Sequence, residues 1–340
     1  MEALRVALLG AGTVGSGFVK LLTAHAERLA TLGTEVRITG ILVRDPAKPR
    51  PAWVPTDRLT TEADALLADA DVVVEAMGGT GRAQELVLAA LEAGLPVITA
   101  NKALLAEAWD ALKPHALEGL LFYEAAVMAG TPVIEPLSGA LRGSSLIELH
   151  AILNGTTNYI LGRMETGATF QEALAEAQAK GYAEADPTLD VAGIDAAHKL
   201  AVLARLVADP SFPWEAVRRH TRGIEHLTPA VLRAARGEGK VVRLVASLYA
   251  QEGRWHARVR PVKLPQDHPL AQASLSQNAL YFKGDAVGAV CIVGGGAGSL
   301  VTASGLLGDL YRLLEGYPGH PPLPAPVPAP AIEASRFEEV

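Results

Sequence analysis

The sequence predicts an α/β protein: a doubly wound parallel sheet with helices on both faces, followed by an α+β domain whose sheet is antiparallel. Three observations carry this expectation. Short, nearly uninterrupted aliphatic runs alternate with helical patterns up to about residue 125, as parallel strands covered on both faces require. The first of these runs passes directly into a glycine cluster that opens a helical stretch. Beyond about residue 130 the texture changes to helix-rich sequence and then to longer runs, one of them alternating with period two.

Taken in order, Leu4–Gly10, Val36–Val43, Asp71–Ala76, Leu95–Ala100 and Leu120–Ala125 read as the parallel strands, with helices over 14–32, 62–68, 81–93 and 103–118 between them. They define a first domain over 1–130. Ser145–Leu153 opens a second domain, 131–297, as a strand, and 156–237 is helix-rich. Lys240–Ala250, Trp255–Leu264, Ala279–Phe282 and Ala286–Val293 then read as strands. A last helix, 298–315, follows a glycine run and is expected to complete the first domain. The remainder, 316–340, contains YPGHPPLPAPVPAPA and reads as an extended, mobile tail, because so proline-rich a segment cannot build a core.

The formal charge of -7 and the lack of any Lys/Arg block argue against a nucleic-acid partner, since neutralising phosphates needs a basic surface. No apolar run nears the ~20 residues of a bilayer span, and the N-terminus lacks a basic region and cleavage site, so no membrane partner and a cytoplasmic location are expected. The single cysteine, Cys291, cannot close an intramolecular disulfide, and within its apolar run it reads as a small buried hydrophobe.

Gly10-Ala11-Gly12-Thr13-Val14-Gly15 follows the first strand directly. In a G-x-G-x-x-G turn the first glycine allows the tight bend, the second lets backbone approach a pyrophosphate, and the third permits close helix–strand packing. The free amides at the helix start favour a phosphate. These features point to a Rossmann-type dinucleotide domain, with a purely structural glycine turn as the alternative. At the end of the second strand Arg44, followed by Lys48 and Arg50, favours the 2′-phosphate of NADP, while Asp45 keeps NAD open. Two later strand ends reach the same carboxyl edge: Glu75-Ala76-Met77-Gly78-Gly79 and Ala100-Asn101-Lys102. There Lys102 is either a contact to substrate or cofactor or an ordinary surface charge.

The stretch 177–199 concentrates charge. A helix over 170–180 stops at Gly181, a loop carries Glu184, Asp186 and Asp190, and a helix over 190–207 sets Asp195 and Lys199 four residues apart on one face. An acidic turn beside a common helical ion pair is one reading. The other is a site for a zwitterion, where carboxylates hold an ammonium and a lysine amine moves a proton.

This segment resembles the signature of the homoserine dehydrogenases, matching its spacing without a gap from Ala177 to Lys199. The glycine turn, EAMGG, ANK, Leu153–Ile160 and Gly294–Leu310 follow in that family's order, so the resemblance spans about residues 4–315. It implies reversible NAD(P)H-dependent reduction of L-aspartate 4-semialdehyde to L-homoserine in threonine and methionine biosynthesis, by a homodimer or higher oligomer. Lys199 matches a proton donor assisted by Lys102, with Asp195 orienting Lys199. Glu184 and Asp190 match readers of the substrate amino group, and Gly155 and Thr156 complete the substrate set. The cofactor set is the six residues of the glycine turn together with Arg44, Gly78, Gly79, Lys102 and Gly296. Glu124, Val127, Ala129 and Thr131 resemble the family's loop for a sodium or potassium ion, although a strand-end acid capping a turn accounts for Glu124 equally well. Gly294–Gly298 suits either a cofactor contact or the structural start of the last helix. Too few residues follow 315 for a regulatory domain of the ACT type, and no kinase region precedes, so no second site for threonine is expected.

Two rival functions stand beside this one. An aspartate-semialdehyde dehydrogenase-like enzyme needs a thiolate nucleophile, for which Cys291 is a poor candidate. A non-catalytic NADP sensor has no need of Lys102, Asp195 and Lys199 together.

Overall fold

A computed structural model describes residues 3–324 and 337–340. Among these the chain divides into two compact units, one reaching to Glu135 and including Ala297–Pro322, the other comprising Pro136–Gly296 and the residues from Leu323 onward.

The first unit is built on six parallel strands: β1 (Ala3–Leu9), β2 (Glu35–Leu42), β3 (Leu59–Thr60), β4 (Val72–Glu75), β5 (Val97–Thr99) and β6 (Leu121–Phe122). Their order, β3-β2-β1-β4-β5-β6, reverses between β1 and β4, the switch point at which ligands of such sheets bind. The central strands are buried where their Val/Leu/Ile runs are continuous: Val6, Leu8, Val72, Val74 and Ile98 have no exposed surface, whereas the first half of β2 is half-buried or exposed. Leu306 and Leu310 of the helix Ser299–Leu314 enter the same core beside Phe18 and Val19 of the helix Thr13–Ala24. Each fully buried leucine contributes about 1.5–3 kcal/mol, which holds this late helix against the first strands of the chain.

The chain does not leave the fold at residue 316. Gly319 N–H donates to Gly119 O at 2.7 Å and His320 N–H to Leu121 O at 2.9 Å, so this segment extends the β6 edge. His320 is buried, its Nε2 lies 2.6 Å from Asp309 Oδ1, and Tyr123 Oη donates to its carbonyl. Proline lacks an N–H, but Gly319 and His320 have one each, and those two bonds are what the sequence reading of a free tail overlooked. Residues 325–336 of that expected tail lie outside the described residues.

The second unit carries an antiparallel sheet in the order β11-β10-β7-β8-β9-β12. Its strands are β7 (Leu146–Ile152), β8 (Lys240–Gln251), β9 (Arg254–Pro265), β10 (Gln277–Gly284), β11 (Gly288–Gly295) and β12 (Glu338–Glu339). β7 is central, pairing with β10 on one side and β8 on the other, and every residue in it is buried. β12, at the end of the chain, pairs with β9, and Glu338 bridges Lys240 and Lys263. Helix Ile194–Val207 packs on β8 and β9, with every residue from Asp195 on buried.

Several local readings need correction. The helices expected over 14–32 and 103–118 are each two, Thr13–Ala24 with Ala26–Ala30 and Lys102–Glu107 with Trp109–Leu117. The helix expected over 190–207 is two helices, Thr188–Val191 and Ile194–Val207, because Gly193 takes the left-handed φ of 80° and resets the chain direction. Cys291 is exposed rather than buried: β11 is an edge strand, and the face carrying Cys291 and Val293 is uncovered in this chain.

Candidate active site

In the first unit the glycine turn is formed as its spacing implies. Gly10 has φ 100°, and a Cβ there would lie 2.9 Å from Ala76 O, where the β1 and β4 ends meet. A Cβ on Gly15 would stand 2.0 Å from Gly10 O, so helix Thr13–Ala24 can start this close to the strand only with glycine. Gly12 is different: its Cβ position is open, and as the helix N-cap it offers no side chain to the first-turn amides. Ala11, Thr13 and Val14 complete the turn, with Thr13 O accepting from Ser299 Oγ at 2.6 Å. Uncapped amides beside open space fit a pyrophosphate.

Arg44 projects from the end of β2 and is exposed, and its guanidinium makes no ion pair or hydrogen bond among the described residues. Its neighbours are committed to the loop. Asp45 Oδ1 accepts from Ala47 N at 2.9 Å, and Arg50 donates to the carbonyls of Asp45 and Lys48.

At the ends of β4 and β5 a buried network sets the backbone. Glu75 accepts from Met77 N (2.7 Å), Gly78 N (2.9 Å) and Thr99 Oγ1 (2.6 Å). Asn101 donates to Gly79 O at 2.6 Å and caps the helix Lys102–Glu107 through Leu104 N. Gly78 and Gly79 both take φ 73°, which explains two glycines in a row. Lys102, half-buried, is the first residue of that helix at the carboxyl edge of the sheet.

Glu124 is a cap. Its Oε1 accepts from Val133 N (2.7 Å) and Ile134 N (2.9 Å), and Oε2 from Glu135 N (2.7 Å), at the start of helix Ile134–Ser138. Burial pushes its carboxyl above the ordinary range, opposed by nearby His320 and by those amides. Between Glu124 and Thr131, Met128 and Ala129 hold left-handed φ of 57° and 56°. Each costs about 1–3 kcal/mol in a non-glycine residue, and here both are buried. Val127 is fully buried alongside.

The second unit gathers the charged signature. Lys199 and Asp195 are one turn apart in a buried helix, their side chains 9% and 11% exposed, with Nζ to Oδ2 at 2.7 Å. Lys199 Nζ also donates to Leu153 O at 2.7 Å, just past β7. Asn154 links the acids: its Nδ2 reaches Asp195 Oδ2 at 2.9 Å and Asp190 Oδ1 at 2.7 Å, while its Oδ1 caps helix Gly155–Glu165 through Thr157 N. A Cβ on Gly155 would meet Ser276 O at 2.4 Å, so glycine is needed at this helix start. Thr156 Oγ1 donates to Tyr182 O at 2.6 Å, tying the acidic loop to the same helix. Glu184 is exposed on that loop, and Gln178 fixes its backbone carbonyl. Lys199, Asp195 and Asp190 thus share one hydrogen-bonded cluster, whereas Glu184 stands apart on the rim.

Asn154 and Asn278 are members of this cluster that sequence reasoning did not single out. Asn154 stood inside the Leu153–Ile160 run, where an asparagine before a glycine-led helix signals an N-cap. Asn278 gave no signal, since only pairing between β10 and β7 carries it to Leu153. Gly296, expected at the cofactor, has its Cβ position filled by the Asn278 side chain.

No group of three or more His, Cys, Asp or Glu side chains suited to a metal occurs among the described residues, and no helix there is long and apolar enough to cross a membrane.

Comparison with known proteins agrees in both units. Residues 132–311 match the family described as homoserine dehydrogenase, and 10–118 match the homoserine dehydrogenase NAD binding domain. The chain is 42% identical to homoserine dehydrogenase of Corynebacterium glutamicum, covering 91% of this chain and 71% of that one. It is 37% identical to the Bacillus subtilis enzyme, covering 93% and 74%. The structure of a homoserine dehydrogenase from Thiobacillus denitrificans superposes with a TM-score of 0.87 at 37% identity, over 92% of this chain and 73% of that one. A hyperthermophilic archaeal homoserine dehydrogenase mutant, solved in complex with NADPH, superposes with a TM-score of 0.76 at 27% identity, over 93% and 99%. With a dinucleotide turn in one unit and a buried lysine–carboxylate cluster in the other, the chain belongs to the homoserine dehydrogenase family, NAD(P)-dependent oxidoreductases acting on a CH–OH group.

Proposed function

We propose that this chain interconverts L-homoserine and L-aspartate 4-semialdehyde in threonine and methionine biosynthesis, with Lys199 exchanging the proton at the substrate oxygen. The observation that carries this is the clamp on Lys199: two of its three N–H donors are held by Asp195 Oδ2 and Leu153 O, each at 2.7 Å, which fixes the direction of the third. A fixed donor holds a proton where the alkoxide develops, and orientation of this kind is a large part of catalysis. The bound nicotinamide supplies the hydride in reduction and accepts it in oxidation. Asp195 orients Lys199 and stabilises its ammonium. Lys102, at the carboxyl edge of the parallel sheet, is the assisting amine.

The substrate is a zwitterion, and the second unit offers both complements. Glu184 and Asp190 bind its ammonium, and the leading amides of helix Gly155–Glu165, those of Gly155 and Thr156, bind its carboxylate. Arg44 reads the 2′-phosphate, making NADP the favoured cofactor and NAD the alternative; the pyrophosphate lies on the turn from Gly10 to Gly15, with Gly78, Gly79 and Gly296 as further contacts. A sodium or potassium ion is held by the carbonyls of Val127, Ala129 and Thr131 together with Glu124, whose carboxylate also caps helix Ile134–Ser138. The enzyme acts in the cytoplasm as a homodimer or larger homo-oligomer.

The test is to incubate the protein with L-homoserine and either NADP+ or NAD+ and follow reduced nicotinamide by absorbance. Turnover with homoserine, faster with NADP+, is expected. No turnover with either cofactor rejects the reading.

A further inference from the structure

We infer that Asn278 is a positioning residue for Lys199, and that Gly296 is glycine to make room for it. The inference rests on the proposed role of Lys199 as proton donor. Asn278 is the second residue of β10 and fully buried. Its Nδ2 donates to Leu153 O at 3.1 Å, the carbonyl that also receives Lys199 Nζ at 2.7 Å. A carbonyl oxygen has two lone pairs, and here an amide and an ammonium take one each. Leu153 O lies where β7 ends and the chain turns into Asn154, so its direction is not set by the sheet ladder. Asn278 pins it from the neighbouring strand, and through it pins the amine.

A Cβ built on Gly296 falls 2.1–2.3 Å from the Cγ, Nδ2 and Oδ1 of Asn278. Gly296 does not have a positive φ, so backbone conformation does not demand glycine there. The amide of Asn278 is what excludes a side chain. Nothing among the described residues donates to Asn278 Oδ1, so this amide is kept at the expense of a buried acceptor. A residue that served packing alone would be better apolar, since an unmet buried acceptor carries a desolvation cost that an apolar side chain does not.

The experiment uses the full chain and the variants Asn278→Leu, Asn278→Ala, Gly296→Ala and Gly296→Ala/Asn278→Ala. Asn278→Leu keeps the branched shape and removes only the polar atoms. For each, kcat and KM for homoserine, the pH profile of kcat, NADPH affinity and melting temperature are measured. Asn278→Leu is expected to lower kcat about 10- to 100-fold, the scale of misplacing a reacting group, and to move the pH profile, with NADPH affinity and melting temperature close to the parent's. Gly296→Ala should lose activity similarly, and in the double variant, where the amide is gone, it should add little further loss. If Asn278→Leu does not fold, Asn278→Ala carries the same expectation. A folded Asn278 variant with kcat within about twofold of the parent and an unmoved pH profile overturns the proposal. So does a Gly296→Ala effect equally large with and without the Asn278 amide. Lys199→Ala, run alongside, separates the two claims: undiminished turnover there rejects the proton-donor reading, whereas an inactive Lys199→Ala beside a fully active Asn278→Leu rejects only the present inference.

Discussion

Replacing Lys199 by Met leaves Asp195 as a nearly buried carboxylate without its ammonium; replacing Asp195 by Leu leaves the reverse. Both side chains are about one-tenth exposed, 9% for Lys199 and 11% for Asp195, so solvent does little to compensate. Breaking a buried pair from one side costs about 3–5 kcal/mol. Here neither orphan is left bare, since Asp195 keeps the Asn154 amide and Lys199 the Leu153 carbonyl, which places the cost near the lower figure. Roughly 3 kcal/mol in a unit of this size is a fall of about 6–12 °C in melting temperature. The double variant Lys199→Met/Asp195→Leu removes both charges and fills the space with apolar atoms; buried pairs replaced in this way are commonly neutral or more stable. The expected result is therefore two destabilised single variants and a double variant that melts near the parent and has no turnover. Thermal melts and homoserine oxidation on the same preparations measure it. If the double variant is destabilised by the sum of the singles, the two side chains do not couple and the reasoning that each single loss comes from an orphaned charge is wrong.

Three more expectations follow from the geometry. Gly12→Ala, whose Cβ meets nothing within 4 Å, should keep the parent melting temperature but weaken NADPH binding at least about tenfold, roughly 1.4 kcal/mol; Gly15→Ala, whose Cβ meets Gly10 O at 2.0 Å, should lower the melting temperature itself. Arg44→Asp should move the ratio of kcat/KM for NADP+ over NAD+ toward NAD+, and an unchanged ratio excludes Arg44 as the reader of the ribose. Glu176, beside Tyr159 and paired with Arg163 at 2.7 Å and Lys180 at 3.0 Å, has its carboxyl pushed down from 4.5 to about 2, so its stabilising contribution is complete above 4.5 and is lost as pH falls toward about 2. The gap in urea midpoint between parent and Glu176→Gln should narrow over that range.

Five of the six parallel strands were legible because each is an apolar run that ends at a glycine or a polar residue, as β1 does at Gly10; the two-residue β3, Leu59–Thr60, is too short to carry such a signal. The Asp195–Lys199 pair was legible for a similar reason, since helical spacing alone makes them neighbours. What escaped the sequence depended on contacts distant along the chain. Asn278 meets Leu153 across 125 positions through strand pairing, and a lone asparagine in a β-run carries no mark of that. Cys291 looked buried because its run is apolar, but edge position decides exposure, and edge position is a property of the whole sheet. His320 sat among prolines that suggested a free tail, and its burial against Asp309 could not be read locally. The break at Gly193 was visible as a glycine, yet only its φ of 80° distinguishes a helix stop from a tolerated interior glycine.

The central claim is that Lys199 exchanges the proton at the substrate oxygen, giving it in reduction and taking it in oxidation. The most direct measurement compares kcat for homoserine oxidation in the parent and in Lys199→Ala, with NADPH affinity measured on the same samples. The account predicts turnover nearly abolished and NADPH affinity unchanged. Turnover within about tenfold of the parent, a barrier change of only ~1.4 kcal/mol, contradicts it.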